Sequence, residues 1–192
     1  MPNFSETELN VRQFTSADWN WFCNALKNHK PDSALASWSD KDISDLLHAF
    51  PEGQICVEVN GQPVAAALGL TVRYSIFAEQ HTFEDIMNRL EKAHDSKKGD
   101  TYYCIETFIE PDYHDRALDE RMYDAGKALC ERLNLKGIFV GNRIQSYKEY
   151  QDSLSPRDYI DKVQKGELPE PLLWFQLSNN FHVKRILKDY LP

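Results

Sequence analysis

The chain has 192 residues, 42% of them hydrophobic, 27% charged and 12% aromatic, which is the balance of one globular domain with room for a core. Its formal net charge of -8 argues against nonspecific binding to nucleic acid or to an anionic membrane surface, since both need an excess of Lys and Arg; the one compact basic patch is Lys184, Arg185 and Lys188. No apolar run approaches the ~20 residues of a membrane span. The first residues are acidic and polar, unlike a signal peptide. Cys23, Cys56, Cys104 and Cys130 form no C-x-x-C pair and read as reduced core thiols of a cytoplasmic protein.

In chain order, residues 9–14 alternate apolar and polar and predict a strand. Thr15 or Ser16 caps a helix over 17–26, with Asp18 in its first turn. Pro31, Asp32 and Ser33 break it. Ser39 caps a second helix carrying Ile43, Leu46, Leu47 and Phe50, closed by Pro51 and Gly53. Residues 54–59 and 63–72 read as two strands joined by Asn60-Gly61, a strong hairpin signal. Residues 78–94 are helical by composition, with Phe83, Ile86, Met87 and Leu90 on one side, and 95–100 form a solvated loop.

Residues 102–110 are an aromatic and β-branched run, a buried strand that Pro111 ends because proline cannot donate to a ladder. From Leu118 the apolar positions Leu118, Met122, Ala125, Leu129 and Leu133 follow one face of a helix. A strand, a short loop and a helix start can hold a phosphate, because the first helical turn has unpaired N–H groups and a positive dipole end. Residues 136–141 are a short buried strand, and the long crossover before it implies a parallel pair. Ser155 and Pro156 open a helix over 155–163. Pro169 and Pro171 make a rigid spacer, and 172–177 reads as a short strand or extended run. Ser178 and Asn179 cap a last helix with Val183, Ile186, Leu187 and Tyr190 inward. The order β-α-α-β-β-α-β-α-β-α-α is that of a mixed α/β domain.

The run Ile109-Glu110-Pro111-Asp112-Tyr113, the helical residues 118–132, and the segments 133–138, 141–144, 155–160 and 175–187 together resemble the GNAT acyltransferase superfamily. More narrowly they resemble the acyltransferase domain fused to carbon–nitrogen hydrolases of the nitrilase type. The likeness covers residues 9–192, and 1–192 is expected to be a single GNAT-like domain. It implies a mixed central sheet flanked by helices, with the C-terminal strand pair of the family missing after Pro192. The expectation is then that the sequence is a truncated piece, that a second copy or a protein partner covers the open sheet edge, or that the local architecture differs. The implied activity is transfer of an acyl group from acetyl-CoA or another acyl-CoA to the amine of a small molecule or peptide. It would proceed by direct attack in a ternary complex, with no metal, no nucleic acid and no membrane involved. The histidines His29, His48, His81, His94 and His182 are dispersed and form no ligand cluster.

The superfamily's motif runs Pro-x-Tyr-Arg-Gly-x-Gly-x-Gly, and its loop holds the pyrophosphate of the coenzyme. Here His114 stands at the arginine position, and Asp115, Ala117 and Asp119 stand at the glycine positions. A like-charge contact at about 4 Å costs roughly 4 kcal/mol at an effective dielectric near 20, about a thousandfold in affinity. The coenzyme grip therefore requires the aspartates to turn outward, or His114, Arg116 and Arg121 to compensate. The resemblance assigns cofactor contacts to Ile109 (backbone, for the pantetheine), to His114, Asp115, Arg116, Ala117, Leu118 and Asp119 (for the pyrophosphate), and to Asn179, which a helix cap explains equally well. It offers Glu106 as general base, against a half-buried carboxylate paired with Arg or a backbone group. It offers Tyr190 as the acid that protonates the departing thiolate, against a core tyrosine. The competing classes are a noncatalytic binding module of the same fold and an acyltransferase using a carrier-protein thioester.

Overall fold

The computed structural model describes residues 9–77, 81–87, 99–113 and 116–190. They fall into two compact units, one of Met1–Glu79 with Glu84–Gly141, the other of Gln80–Phe83 with Asn142–Pro192.

The first unit is built on a five-stranded sheet in the order β1-β2-β3-β4-β5, with β1 Leu9–Gln13, β2 Ile55–Val59, β3 Gln62–Val72, β4 Thr101–Ile109 and β5 Ile138–Val140. The first four strands pair antiparallel and β5 pairs parallel to β4, so this is a mixed sheet, as the long crossover requires. Asn60 (φ 51°) and Gly61 (φ 75°) make the β2–β3 turn, the two positive φ values that a tight hairpin needs.

Two register shifts shape the sheet. In the β3–β4 ladder Leu68 faces Glu106 but Gly69 faces Cys104, so Ile105 is an extra residue in β4. A bulge reverses the alternation of side chains beyond it. Tyr102 and Cys104 before the bulge and Ile109 after it thus share one core cluster, while Phe108 turns to the other face and meets Phe22 edge-on at 6.4 Å. The bulge is braced by the buried side chain of Gln54. Its Nε2 donates to Phe50 O and Gly69 O at 2.7 Å each, and its Oε1 accepts from Gly69 N at 3.1 Å. The Tyr102 ring lies over Gly69, where a Cβ would meet ring carbon at 2.3 Å, and the Tyr102 hydroxyl donates to Gly53 O at 2.8 Å. The second shift, between Val57 and Glu58, lies in the β2–β3 ladder.

Helices cover both faces. On one, α1 (Trp19–His29) packs Phe22 against Phe14 and Phe108. A 3-10 turn, Ser16–Asp18, leads into it, and Asp18 Oδ2 accepts from Thr15 N at 2.8 Å. The helix thus starts where Thr15 predicts and runs three residues beyond 26. The second helix, α2 (Asp40–Ala49), starts at the Ser39 cap. A short α3 (Tyr74–Phe77) lies just ahead of the helix expected over 78–94, of which residues 81–87 are described and hold α4 (Phe83–Met87). Phe83 and Ile86 are buried; the Met87 side chain and Leu90 lie outside the described residues.

On the other face lies α5 (Arg116–Arg132), whose Leu118, Met122, Leu129 and Cys130 pack on Val57, Val64, Ala65 and Tyr102. The predicted apolar face holds as far as Leu129. Leu133 is 37% exposed, because the helix has ended: Asn134 takes a left-handed conformation (φ 53°) and Leu135 N–H closes back on Cys130 O at 2.8 Å, a left-handed C-cap.

The second unit carries α6 (Pro156–Gln164), capped by Ser155 as predicted, and α7 (Pro171–Ser178). Here the structure corrects the sequence expectation. Residues 172–177 are helical, not extended: Pro171 opens the helix as a first-turn proline, and an uninterrupted apolar run does not by itself distinguish strand from helix. Asn179 is accordingly a C-cap, not an N-cap. Its N–H donates to Phe175 O and Gln176 O, and left-handed Asn180 (φ 65°) ends the helix. No helix follows over 181–190; Val183 and Ile186 are 42% and 39% exposed, whereas Tyr190 is buried. The described residues after β5 add no strand to the sheet.

Candidate active site

The site is built from the far end of β4. Strand β5 pairs with β4 only at Tyr102, Tyr103 and Cys104. From Ile105 to Ile109 the β5 side of β4 has no strand partner among the described residues. Glu110 N–H donates to Val64 O at 2.9 Å, so the alternation of an antiparallel ladder turns the peptide groups of Thr107 and Ile109 away from β3. A strand edge of this kind offers backbone donors and acceptors to an extended ligand; here Ile109 presents them, while the Thr107 N–H and carbonyl are held by Glu106 and Lys30.

A polar cluster caps this edge. The Glu106 carboxylate accepts from Lys30 Nζ at 2.7 Å and from Thr107 N at 3.0 Å on Oε1, and from Ser33 Oγ at 2.5 Å on Oε2. Lys30 also donates to Thr107 O at 3.0 Å. The Glu106 side chain is 12% exposed and that of Lys30 is 44% exposed. A carboxylate has about four lone-pair sites. Three are taken here, and the one left on Oε2 can accept a proton. Glu106 is therefore the paired carboxylate of the plainer sequence reading, with Lys30 and a serine in place of an arginine. Two residues farther on, Phe108 has the Trp21 and His29 rings beside it, and Trp21 Nε1 donates to Glu110 Oε1 at 2.7 Å. Lys30, Ser33 and Trp21 carry no local motif. A lysine ending a helix and a serine in the following turn look like surface positions until β4 is placed beside them.

Beyond β4, the 3-10 turn Pro111–Tyr113 leads toward α5. Tyr113 is half-buried and packs on the core. His114 and Asp115 lie outside the described residues. Arg116 and Ala117 form the start of α5, Leu118 follows with its side chain in the core, and Asp119 is half-buried in the first turn. An acidic residue there is favourable to the helix dipole. Asn179 and Tyr190 belong to the second unit. Asn179 Nδ2 donates to Phe175 O at 2.9 Å. Tyr190 receives Phe83 N–H on its carbonyl at 2.8 Å, and its ring lies edge-on to His81 and Phe83.

All four cysteines are free and buried. Burial pushes the Cys56 and Cys104 thiols up to about 12 and the Cys130 thiol up to about 11, so these three are not thiolates at neutral pH. Among the described residues no group of three or more His, Cys, Asp or Glu is placed to hold a metal ion, and no helix is long and apolar enough to cross a membrane.

The antiparallel strands β1 to β4, the parallel β5 and the strand–turn–helix unit after β4 make a GNAT-like α/β fold. The loading GNATL domain of CurA from Lyngbya majuscula superposes with a TM-score of 0.76 at 18% identity, covering 96% of this chain and 89% of that one. The GphF GNAT-like decarboxylase, solved in complex with isobutyryl-CoA, superposes with a TM-score of 0.75 at 17% identity, covering 95% and 91%. By sequence, the chain is 30% identical over 187 residues to the probable hydrolase YhcX of Bacillus subtilis (strain 168), matching 97% of this chain but 36% of that protein. It is 23% identical over 185 residues to the uncharacterized N-acetyltransferase YkwB of the same organism, matching 95% of this chain and 82% of that one. The chain thus spans about a third of the longer curated relative. No protein-family model matches it.

Proposed function

We propose that the chain is an N-acyltransferase that moves an acyl group from acyl-CoA to the amine of a small molecule or peptide. The observation that carries this is the unpaired edge of β4, which runs past Glu106 and Ile109 into the turn and the start of α5. That edge suits a pantetheine lying along Ile109, with the pyrophosphate facing the first helical turn, which starts at Arg116, and with His114, Asp115, Arg116, Ala117, Leu118 and Asp119 as its contacts. Support comes from YkwB, whose name is that of an N-acetyltransferase, and from GphF, solved with an acyl-CoA. In this reading the amine attacks the thioester carbonyl directly, its proton passes to Oε2 of Glu106, and the coenzyme leaves as a thiolate that Tyr190 protonates. Asn179 serves as a further pantetheine contact. Residues 1–192 act as one cytoplasmic domain, since a single solved domain covers 96% of the chain. The match to part of a hydrolase supports the narrower likeness to acyltransferase domains fused to nitrilase-type enzymes.

Calorimetry with acetyl-CoA tests the donor. The expected result is heat and thermal stabilisation at millimolar ligand or below, tightened by Asp119→Gly. No heat and no stabilisation would end the acyl-CoA reading. The acidic residues at the glycine positions favour a second reading, in which the donor is a carrier-protein thioester or the module is noncatalytic. The name of the CurA neighbour, a loading domain, leans toward the carrier, and an acyl-carrier protein replacing acetyl-CoA in the same calorimetry separates the two. A second copy or a protein partner covering an open sheet edge belongs to the same proposal, and light scattering reads it.

A further inference from the structure

The second unit holds a cleft of about 280 Å³ between α6 and the irregular segment after α7. Three cationic side chains line it: Arg157 from the first turn of α6, and Lys184 and Arg185 from the segment. One carboxylate, Asp161, lines it as well. In a chain of net charge -8 this is a local excess of positive charge. None of the three cations enters an ion pair or a side-chain hydrogen bond among the described residues; the lysines and arginine that do are others, such as Arg12, Lys30, Lys136 and Lys162. Three positive charges around one carboxylate leave a net excess that repels itself, and an anion between them relieves the repulsion. Arg157 also stands at the N-terminal end of a nine-residue helix, where the dipole favours an anion.

The shape narrows the ligand. A concave space of this size takes a compact, doubly charged head better than an extended acidic segment. Guanidinium groups match phosphate oxygens in pairs. The cleft is also walled by Ile160 and Leu177, which suits an organic body attached to the head. We propose that this cleft binds the phosphate monoester of a small organic molecule. The inference does not depend on the acyl-transfer reading, since none of these residues belongs to the site on β4.

The test is a backbone-amide NMR titration of the full chain with inorganic phosphate, adenosine 3′-monophosphate and a polyglutamate peptide. The expected result is saturable shifts in residues 157–164 and 182–186 with both phosphates. The ester should bind about tenfold tighter because the organic body contributes; equal affinity would make free phosphate the ligand and overturn the monoester proposal. Arg157→Glu with Lys184→Glu should weaken binding by about a hundredfold. Arg185→Glu, in a segment outside any helix, gives a second variant whose fold circular dichroism verifies, with at least a tenfold loss expected. Absence of these shifts at tens of millimolar phosphate, unchanged affinity in both variants, or tighter binding of polyglutamate than of either phosphate would overturn the proposal.

Discussion

Lys30 and Glu106 are 76 residues apart in the chain and 2.7 Å apart in space. The pair ties the end of α1 to β4 just past the bulge at Ile105, where the strand loses its neighbour. Lys30 holds one oxygen of Glu106 and the Thr107 carbonyl together, and Ser33 holds the other oxygen. The carboxylate is therefore fixed in direction, as a positioned proton acceptor must be.

If Glu106 takes the proton of the amine, Glu106→Gln lowers kcat for acyl transfer by about 10²–10⁴-fold and leaves acetyl-CoA affinity within about threefold. Lys30→Met frees the carboxylate to rotate but keeps it, so its loss is smaller. Steady-state kinetics on both variants decide the point: a Glu106→Gln enzyme as active as the parent would leave Glu106 a structural ion-pair partner only.

Much of this architecture is legible in the sequence, and the exceptions have physical causes. The hairpin at Asn60-Gly61, the Ser39 and Ser155 caps and the parallel β5 all rest on local signals, in turn φ, cap hydrogen bonds and crossover length. The region after Pro169 misleads because Leu172 to Leu177 is apolar apart from Gln176, with no period to read, and because Asn179 is as good a helix stop as a helix start. Glu106 stands out from its place in the central strand. Its partners Lys30 and Ser33 do not, because only the bulge at Ile105 turns Glu106 toward α1.

The buried thiols bear on the choice between direct transfer and an acyl-enzyme. With Cys56 and Cys104 pushed up to about 12 and Cys130 up to about 11 by burial, iodoacetamide should label none of these three in the native protein at about pH 7.5. All three should react after unfolding. Mass spectrometry of the labelled peptides reads this directly. Rapid native labelling of Cys104, which lies two residues before Glu106, would reopen an acyl-cysteine route.

Gly69 has no room for a methyl group, since its Cβ would lie 2.3 Å from the Tyr102 ring. Gly69→Ala must push that ring off Gly53 O and disturb the Gln54 brace of the bulge. The expected destabilisation is about 1–3 kcal/mol, read as a lower midpoint in urea with unchanged slope. Tyr102→Leu should be milder in the Gly69→Ala background than alone, because the clash and the ring disappear together. Additive losses would show that the two residues act separately.

Arg12 joins β1 to the start of α1 and to β2, bonding Asp18 at 2.8 Å through both terminal nitrogens and Glu58 at 2.6 Å through Nε. Burial pushes the Asp18 carboxyl up, but the hydrogen bonds from Arg12 and from the Thr15 backbone and hydroxyl outweigh it and hold it below the usual range. Hydrogen bonds from Asn10 and then Arg12 hold Glu58 low as well. A carboxyl depressed in the folded state contributes stability above its unfolded value of about 3.9 and loses it as the pH falls through the folded value. Asp18→Asn should therefore cost about 2 kcal/mol near neutral pH, with the gap to the parent constant from about pH 7 to 5 and closing below about pH 4. Urea unfolding across that range measures it. A gap that did not narrow as the pH fell below about 4 would mean that the asparagine substitution costs packing, not charge, and that the Arg12 pair contributes nothing to acid stability.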